Sequence, residues 1–486
     1  MPAMSHREEL LTRVGRDLHA ALPGASRHPV KALDAKGMEL ASRDAELRAA
    51  LFRLVDVTPA CRSLDDLARH LAEYLDEVDE RPQALQAAMR LAHTAAGRRA
   101  LGAAAATAVR HMAHRFIVGE SPQAALGVLE DLWRGGAACS VDLLGEATVT
   151  GEEADRYAAR CADALEVLSA ACGAWPPRPL LEADSAGPLA RVNLSVKVSA
   201  LTPLMRPDAP HIGREDAAGR LRPLLRRARD LDAHLHIDME SLDALETTME
   251  LVLELLDERE FSDGPSAGVV LQAYLRDSPQ QLDRLLEWAR ASSRRPPLTV
   301  RLVKGAYWDH EVVEARQHGW APPVFEVKAD SDRNFDELTR RLLDERPLKD
   351  SAGTPDPSDP VKDLAGTPDP SDPVKDLAGT PDPSDPLLRV AIASHNVRSL
   401  AHAIAHNRAT GGEDRDLELQ VLRGLGDELG AAIAASGLRV RSYCPVGDLV
   451  AGMAYLVRRL LENTSNDSFL GEQQRGASID ELLAAP

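Results

Sequence analysis

Cysteine is scarce in this chain: Cys61, Cys139, Cys161, Cys172 and Cys444 are scattered over 486 residues, with no CxxC pair. Neither a disulfide framework nor a zinc ribbon can be assembled from them, and a reducing cytoplasm is the setting they fit. Long apolar runs are missing too. No stretch approaches the roughly 18 apolar residues of a membrane span, and the opening "MPAMSHREELLTRVGRDLHAAL" is charged throughout, without the apolar core of a signal peptide. The expectation is a soluble cytoplasmic chain, with docking on a membrane surface left open. Basic residues are outnumbered, 57 against 76 acidic, for a formal charge of −19. That balance argues against nonspecific nucleic-acid binding and for solubility. No GxxxxGK[ST] or HExxH occurs. The nearest glycine pattern, "GLGDELG" (424–430), spaces its glycines one residue too far apart for a dinucleotide turn and reads as a plain turn.

What is present falls into three zones. Residues 1–135 read as an N-terminal helical arm and domain: "DAELRAALFRLVDV", "SLDDLARHLAEYLDEV" and "PQAALGVLEDLWRGG" space apolar residues helically, with Ser63 as a capping signal. From 136 to 470 the rhythm changes to short β-prone runs separated by helical stretches. The runs are "CSVDLL" (139–144), "RVNLSVKV" (191–198), "AHLHIDM" (233–239), "GVVLQAYL" (268–275), "LTVRLVKG" (298–305), "LRVAIASH" (388–395), "LELQVL" (417–422) and "LRVRSYC" (438–444). Eight such units predict an α/β fold, a (β/α)8 TIM-type barrel, with an open doubly wound sheet as the alternative. Within it, 349–388 reads as a disordered insertion. "AGTPDPSDPVKDL" repeats there, and nine of the 32 prolines lie between 355 and 386. Residues 471–486 read as a tail or the start of a linker.

A barrel of this kind builds its active site at the C-terminal ends of its strands. Those ends supply Asp142 and Glu146, Lys197, His236 and Asp238, Gln272, Arg301 and Lys304, His395 and Asn396, and Tyr443. Two readings compete. His234, His236 and Asp238 share one strand face and with His395 suggest a divalent metal in a barrel hydrolase. Alternatively Gln272, Arg301 and Lys304 hold a large anionic cofactor, which leaves Lys197 and the neighbours Arg458 and Arg459 for a small carboxylate. In "YLVRRLLENTSNDSFL", Tyr455, Arg458, Arg459 and Glu462 share one helical face.

"SVKVSAL", "HIDMES", "LQAYLRDS", "VRLVKGAYWD", "ASHN" and "YCPVGDLVAGMAYLVRRLLENTSNDSFL" run in order through the chain. They closely resemble the proline dehydrogenase domain of the bacterial proline utilization A family, and "LFRLVDVTPA" and "VDLLGEAT" resemble its helical N-terminal region and first strand. The resemblance implies an FAD-dependent oxidation of L-proline to Δ1-pyrroline-5-carboxylate. Electrons would pass to a membrane quinone through peripheral contact at the inner membrane, and no resident metal is implied. Carried over by motif, Asp238 and Arg301 are catalytic, and Lys197, Leu422, Tyr443, Tyr455, Arg458 and Arg459 bind the substrate. Met239, Gln272, Arg301, Lys304, Gly305, Ala306, Tyr307, Trp308, Lys328, Ser394, His395 and Glu462 bind or approach FAD. Glu146 pairs with Arg458 as a gate. The resemblance also implies a partner for the product, an aldehyde dehydrogenase domain or protein.

Overall fold

The computed structural model describes residues 6–22, 45–79, 86, 89–90, 94–145, 148–345, 387–448, 452, 455 and 477–486. Glu146, Arg458, Arg459, Glu462 and the Pro/Asp-rich repeat up to residue 386 lie outside the described residues. Eight strands form the centre: β1 (Ala137–Leu143), β2 (Asn193–Lys197), β3 (His234–Asp238), β4 (Ser266–Gln272), β5 (Leu298–Val303), β6 (Leu388–Ala393), β7 (Leu417–Leu422) and β8 (Val440–Val446). Each pairs in parallel with its neighbour in sequence, and β1 pairs with β8 to close the barrel. All eight expected runs are strands, and the (β/α)8 expectation holds over the open sheet.

The strand positions that face the covering helices must be apolar, and these are, alternating with polar residues that point into the barrel. Leu194, Val196, Leu235, Val269, Leu271, Val300, Leu302, Ile392, Leu419 and Val440 are all fully buried. Their outer faces pack against helices between the strands, among them Gly151–Cys172, which opens on a capping box of Thr150 and Glu153. The glycine-spaced run divides in two: Gly424 turns the chain at φ +84°, and a helix Asp427–Ala435 begins three residues later. The expected turn thus covers only the first half of "GLGDELG", and Gly430 is helical.

The N-terminal helices split into two groups. His6–Ala20 lies along the barrel helix Val397–Ala409, and its Val14 and Leu18 join the barrel core. Arg16 on the same helix holds Asp480 of the C-terminal segment at 2.8 Å. Ala45–Val57, Leu64–Asp76 and the N-terminal half of Ala95–Phe116 instead share a small core of their own around Leu47, Leu54, Leu71 and Leu75. Ser63 caps the second of these helices, its hydroxyl accepting from the Asp66 N–H at 3.1 Å. The C-terminal end of the third carries Phe116, which with Ile117 packs beside Leu144, Tyr455 and Tyr443 at the barrel mouth.

Candidate active site

Because side chains alternate along a strand, residues two apart on β2 and β3 enter the barrel at successive heights. Lys197 and Asp238 are register partners at the tops of β2 and β3. The Asp238 carboxylate is held from two sides. One oxygen accepts from Arg301 Nη1 at 2.8 Å and the other from the Tyr443 hydroxyl at 2.6 Å. Arg301 itself, on β5, is buried and also reaches the hydroxyls of Ser140 and Ser195, while its guanidinium lies 5.4 Å from the centre of the Tyr443 ring. Lys197 Nζ donates to Asp142 on β1 and stands 3.7 Å from the second Asp238 oxygen. Burial pushes its ammonium toward the neutral form, but the charges of Asp142 and Asp238 together outweigh that, and its pKa ends above the ordinary lysine value. Lys197 is therefore a cation at neutral pH. Burial, then Asp142 and Asp238, push the Tyr443 phenol well above its usual range, so it stays a donor.

The histidines of β3 belong to a different layer. His234 Nδ1 meets Ser266 Oγ at 2.8 Å and its Nε2 meets His236 Nδ1 at 3.1 Å. His236 occupies the space opposite Gly268, where any Cβ would overlap its ring. Burial is the main reason both are held neutral, His234 down to about 3 and His236 well below the usual histidine value. His395 is committed elsewhere, its Nε2 accepting the Leu422 N–H at 2.9 Å. Asp238 is taken up by Arg301 and Tyr443. The metal-hydrolase alternative fails on this geometry: His234, His236 and His395 do not converge, and among the described residues only Cys61, Asp66 and His70 stand close enough to share an ion.

At the end of β5 the chain turns through Gly305 at φ +132°, where a side chain would run into the ring of Tyr274. Lys304 and Lys328 converge on one carboxylate, Asp332, the second at 2.7 Å. Burial pushes the Lys304 ammonium down while Asp332 opposes it. Two ammonium groups over one carboxylate leave a single positive charge facing outward. Next to them, Gln272 donates from Nε2 to the Glu240 carbonyl at 2.9 Å, and its Oε1 is buried with no partner among the described residues.

The sequence profile described as "Proline dehydrogenase" matches residues 125–472, and that described as "Proline utilization A N-terminal domain" matches residues 8–116. This chain belongs to the proline dehydrogenase family. It is 31% identical over 387 residues to "Bifunctional protein PutA" of Salmonella typhimurium, an alignment covering 78% of the chain and 25% of that protein. It is 26% identical over 360 residues to "Proline dehydrogenase" of Deinococcus radiodurans, covering 74% of the chain and 89% of the relative. Among solved structures, proline utilization A from Bdellovibrio bacteriovorus inactivated by N-propargylglycine superposes with a TM-score of 0.82 at 32% identity, over 99% of the chain and 44% of that protein. The chain thus spans about a quarter of the length of the bifunctional relative and under half of the solved one.

In the barrel the residues expected to serve the substrate fall into one neighbourhood where they are described. Lys197, Asp238, Arg301 and Tyr443 form the linked network, Leu422 is the register partner of Tyr443, and Tyr455 packs in the cluster that Tyr443 borders. Met239 follows directly on β3 and is buried. Tyr307 packs partly against the core, whereas Trp308 is over a third exposed and donates to the Phe325 carbonyl at 2.9 Å. Ser394 and His395 leave the top of β6, Ser394 Oγ accepting from the Asn396 N–H at 3.1 Å. Ala306 lies between Gly305 and Tyr307 on the same turn.

Sequence reasoning missed several partners. It named Asp142 only as a polar strand end, and the structure makes it the counter-ion of Lys197. Asp332 went unnoticed because it sits on a helix, four residues after Lys328. A buried ionic layer near the starts of β6 to β8 was also missed. There Asp184 takes Arg389 through two hydrogen bonds of 2.9 and 3.1 Å, and Glu418 takes Arg441 at 2.8 and 2.9 Å. Its signal was present as polar residues at alternate positions, Glu418 and Gln420, Arg439 and Arg441.

Proposed function

We propose that this chain oxidises L-proline to Δ1-pyrroline-5-carboxylate with FAD as the oxidant, and that the electrons leave to a membrane quinone. The observation that carries the reading is the linked set at the barrel mouth, Lys197 with Asp142 and Arg301 with Asp238 and Tyr443, on a chain of this family. Bound flavin would supply the acceptor for a hydride. The residues fit such a group. Gln272 Oε1 and Arg301 Nε are buried with no hydrogen-bond partner among the described residues, and the surplus charge of Lys304 and Lys328 over Asp332 suits a diphosphate. In this reading Met239, Gln272, Arg301, Lys304, Gly305, Ala306, Tyr307, Trp308, Lys328, Ser394, His395 and Glu462 hold the cofactor.

On the substrate side the charges of the described residues cancel: Lys197 and Arg301 are matched by Asp142 and Asp238. An incoming carboxylate leaves water only where fresh positive charge replaces its hydration. Arg458 and Arg459 supply it in this proposal, with Lys197 as a point charge beside them and Glu146 pairing with Arg458 to close the site. The same cations lower the pKa of the proline nitrogen, favouring the neutral amine whose lone pair can expel a hydride from the ring carbon. Arg301 is the residue that would supply positive charge toward the bound oxidant. Leu422, Tyr443 and Tyr455 line the pocket.

Contact with the quinone is peripheral in this proposal; no helix among the described residues is long and apolar enough to cross a membrane. The product would pass to an aldehyde dehydrogenase domain or protein. An absorbance spectrum tests the core of the reading: a yellow protein bleached anaerobically by L-proline is expected, and a colourless chain, or a flavin indifferent to proline, refutes it. Arg458→Met and Arg459→Met should each raise KM for proline by at least tenfold with flavin retained. Normal saturation in both variants removes the carboxylate assignment.

A further inference from the structure

Outside the barrel, the N-terminal helical module brings three different metal-ligating side chains together. Cys61 closes the short 3-10 turn Thr58–Ala60 in extended conformation, and Asp66 and His70 follow one turn apart on the helix Leu64–Asp76. Their ligand atoms all lie within 4.8 Å of one another. In a tetrahedral site, with metal–sulfur bonds near 2.3 Å and metal–nitrogen or metal–oxygen bonds near 2.0–2.1 Å, neighbouring ligand atoms stand roughly 3.3–3.6 Å apart. Side-chain rotation of about an ångström therefore closes the set. We propose that Cys61, Asp66 and His70 bind one zinc-class divalent cation, with water in the fourth position.

A second observation points the same way. His70 turns its two ring nitrogens toward two different carboxylates, Nε2 to Asp66 at 3.8 Å and Nδ1 to Glu73 at 3.9 Å. An outer carboxylate on the nitrogen remote from the ion is how metal-binding histidines are oriented. Helix capping explains part of Asp66, one of whose oxygens accepts the Arg62 N–H at 3.1 Å. Capping does not account for His70, and it accounts for Cys61 only through its backbone; the Cys61 thiol donates to the Val57 carbonyl at 3.5 Å, a weak bond that ligation would replace. The other Asp66 oxygen is covered by Arg69, a largely exposed side chain, and a depression lined by Arg62, Asp66, Arg69 and Glu73, but by neither Cys61 nor His70, lies on the Asp66 side of the cluster. Sulfur, nitrogen and oxygen together select a borderline-soft ion over magnesium or calcium, which prefer oxygen. Bound there, the ion would fasten the turn after Ala45–Val57 to the next helix and so stabilise the module.

Cobalt(II) is the probe. The whole chain, stripped with chelator, should bind one equivalent with a thiolate-to-metal charge-transfer band that zinc displaces, and zinc should raise the Tm of the chain. Of the five cysteines only Cys61 is accessible, the other four being buried, so the band reports on it. Cys61→Ser should abolish the band while leaving proline-dependent bleaching unchanged, and His70→Ala should weaken binding at least tenfold. Glu73→Gln, which touches no ligand atom of the ion, should keep the band and weaken binding by about tenfold. The absence of a saturable band in the native chain, or its persistence in folded Cys61→Ser, overturns the assignment.

Discussion

Asp238 does two things at once: it neutralises Arg301 and fixes the hydroxyl of Tyr443. A buried carboxylate with both oxygens hydrogen-bonded is rigid, and losing one donor leaves a desolvated oxygen short of a hydrogen bond. Tyr443→Phe removes only that hydroxyl. Removing this hydrogen bond to a charged group, with Lys197 still 3.7 Å away, costs about 1.5–3 kcal/mol. If the cost falls on the reacting complex, kcat/KM for proline drops roughly ten- to a hundredfold while the fold and flavin content persist. Steady-state kinetics check this, and an unchanged kcat/KM would mean that the hydroxyl does not position Asp238 for the reaction.

Two helices of the N-terminal module approach so closely that their contact admits only glycine. At Gly102, on Ala95–Phe116, an added Cβ would overlap the Leu64 carbonyl at the start of Leu64–Asp76. Backbone cannot yield as a flexible side chain can, so the helices must part. Gly102→Ala should therefore destabilise the module by about 1–3 kcal/mol, the usual cost of overpacking, despite alanine's better helix propensity. Thermal unfolding followed by circular dichroism measures it. Equal or higher stability in the variant would show that the helices slide apart freely.

For the molecule as a whole, buried histidines set the response to acid. Burial first and the Arg441 charge second hold His234 down to about 3, burial holds His236 well below its ordinary value, and burial holds His402 down to about 4. All three pKa values are lower in the folded chain than unfolded, so the unfolded chain binds protons first. Their contribution is fully present above about pH 6.5 and is lost as pH falls toward 4 and then 3. For His234 alone the loss at pH 5 is roughly 2 kcal/mol. Denaturant midpoints should therefore fall from pH 7 to pH 5, and His234→Asn should flatten that slope by about one proton. A flat profile in the native chain would contradict neutral burial of these rings.

The eight strands were legible because each is a short β-prone run between helical stretches, a signal that lies within one segment. Their ends were less so: "GVVLQAYL" continues for three residues beyond β4, because the chain turns after Gln272 even though the Ala273 and Tyr274 N–H groups still reach the Val303 and Lys304 carbonyls. The polar strand tops were legible for the same local reason. The histidines of "HLHID" show the limit, for nothing in that run distinguishes a ligand pair from core residues, and the choice fell to Gly268 across the ladder. By itself the sequence determined the kind of fold and which residue types stand at the barrel mouth. Only tertiary structure decided which charge meets which. Asp238 takes Arg301 from 63 positions away and Tyr443 from 205, and closure of the barrel, which no local periodicity encodes, sets those pairings.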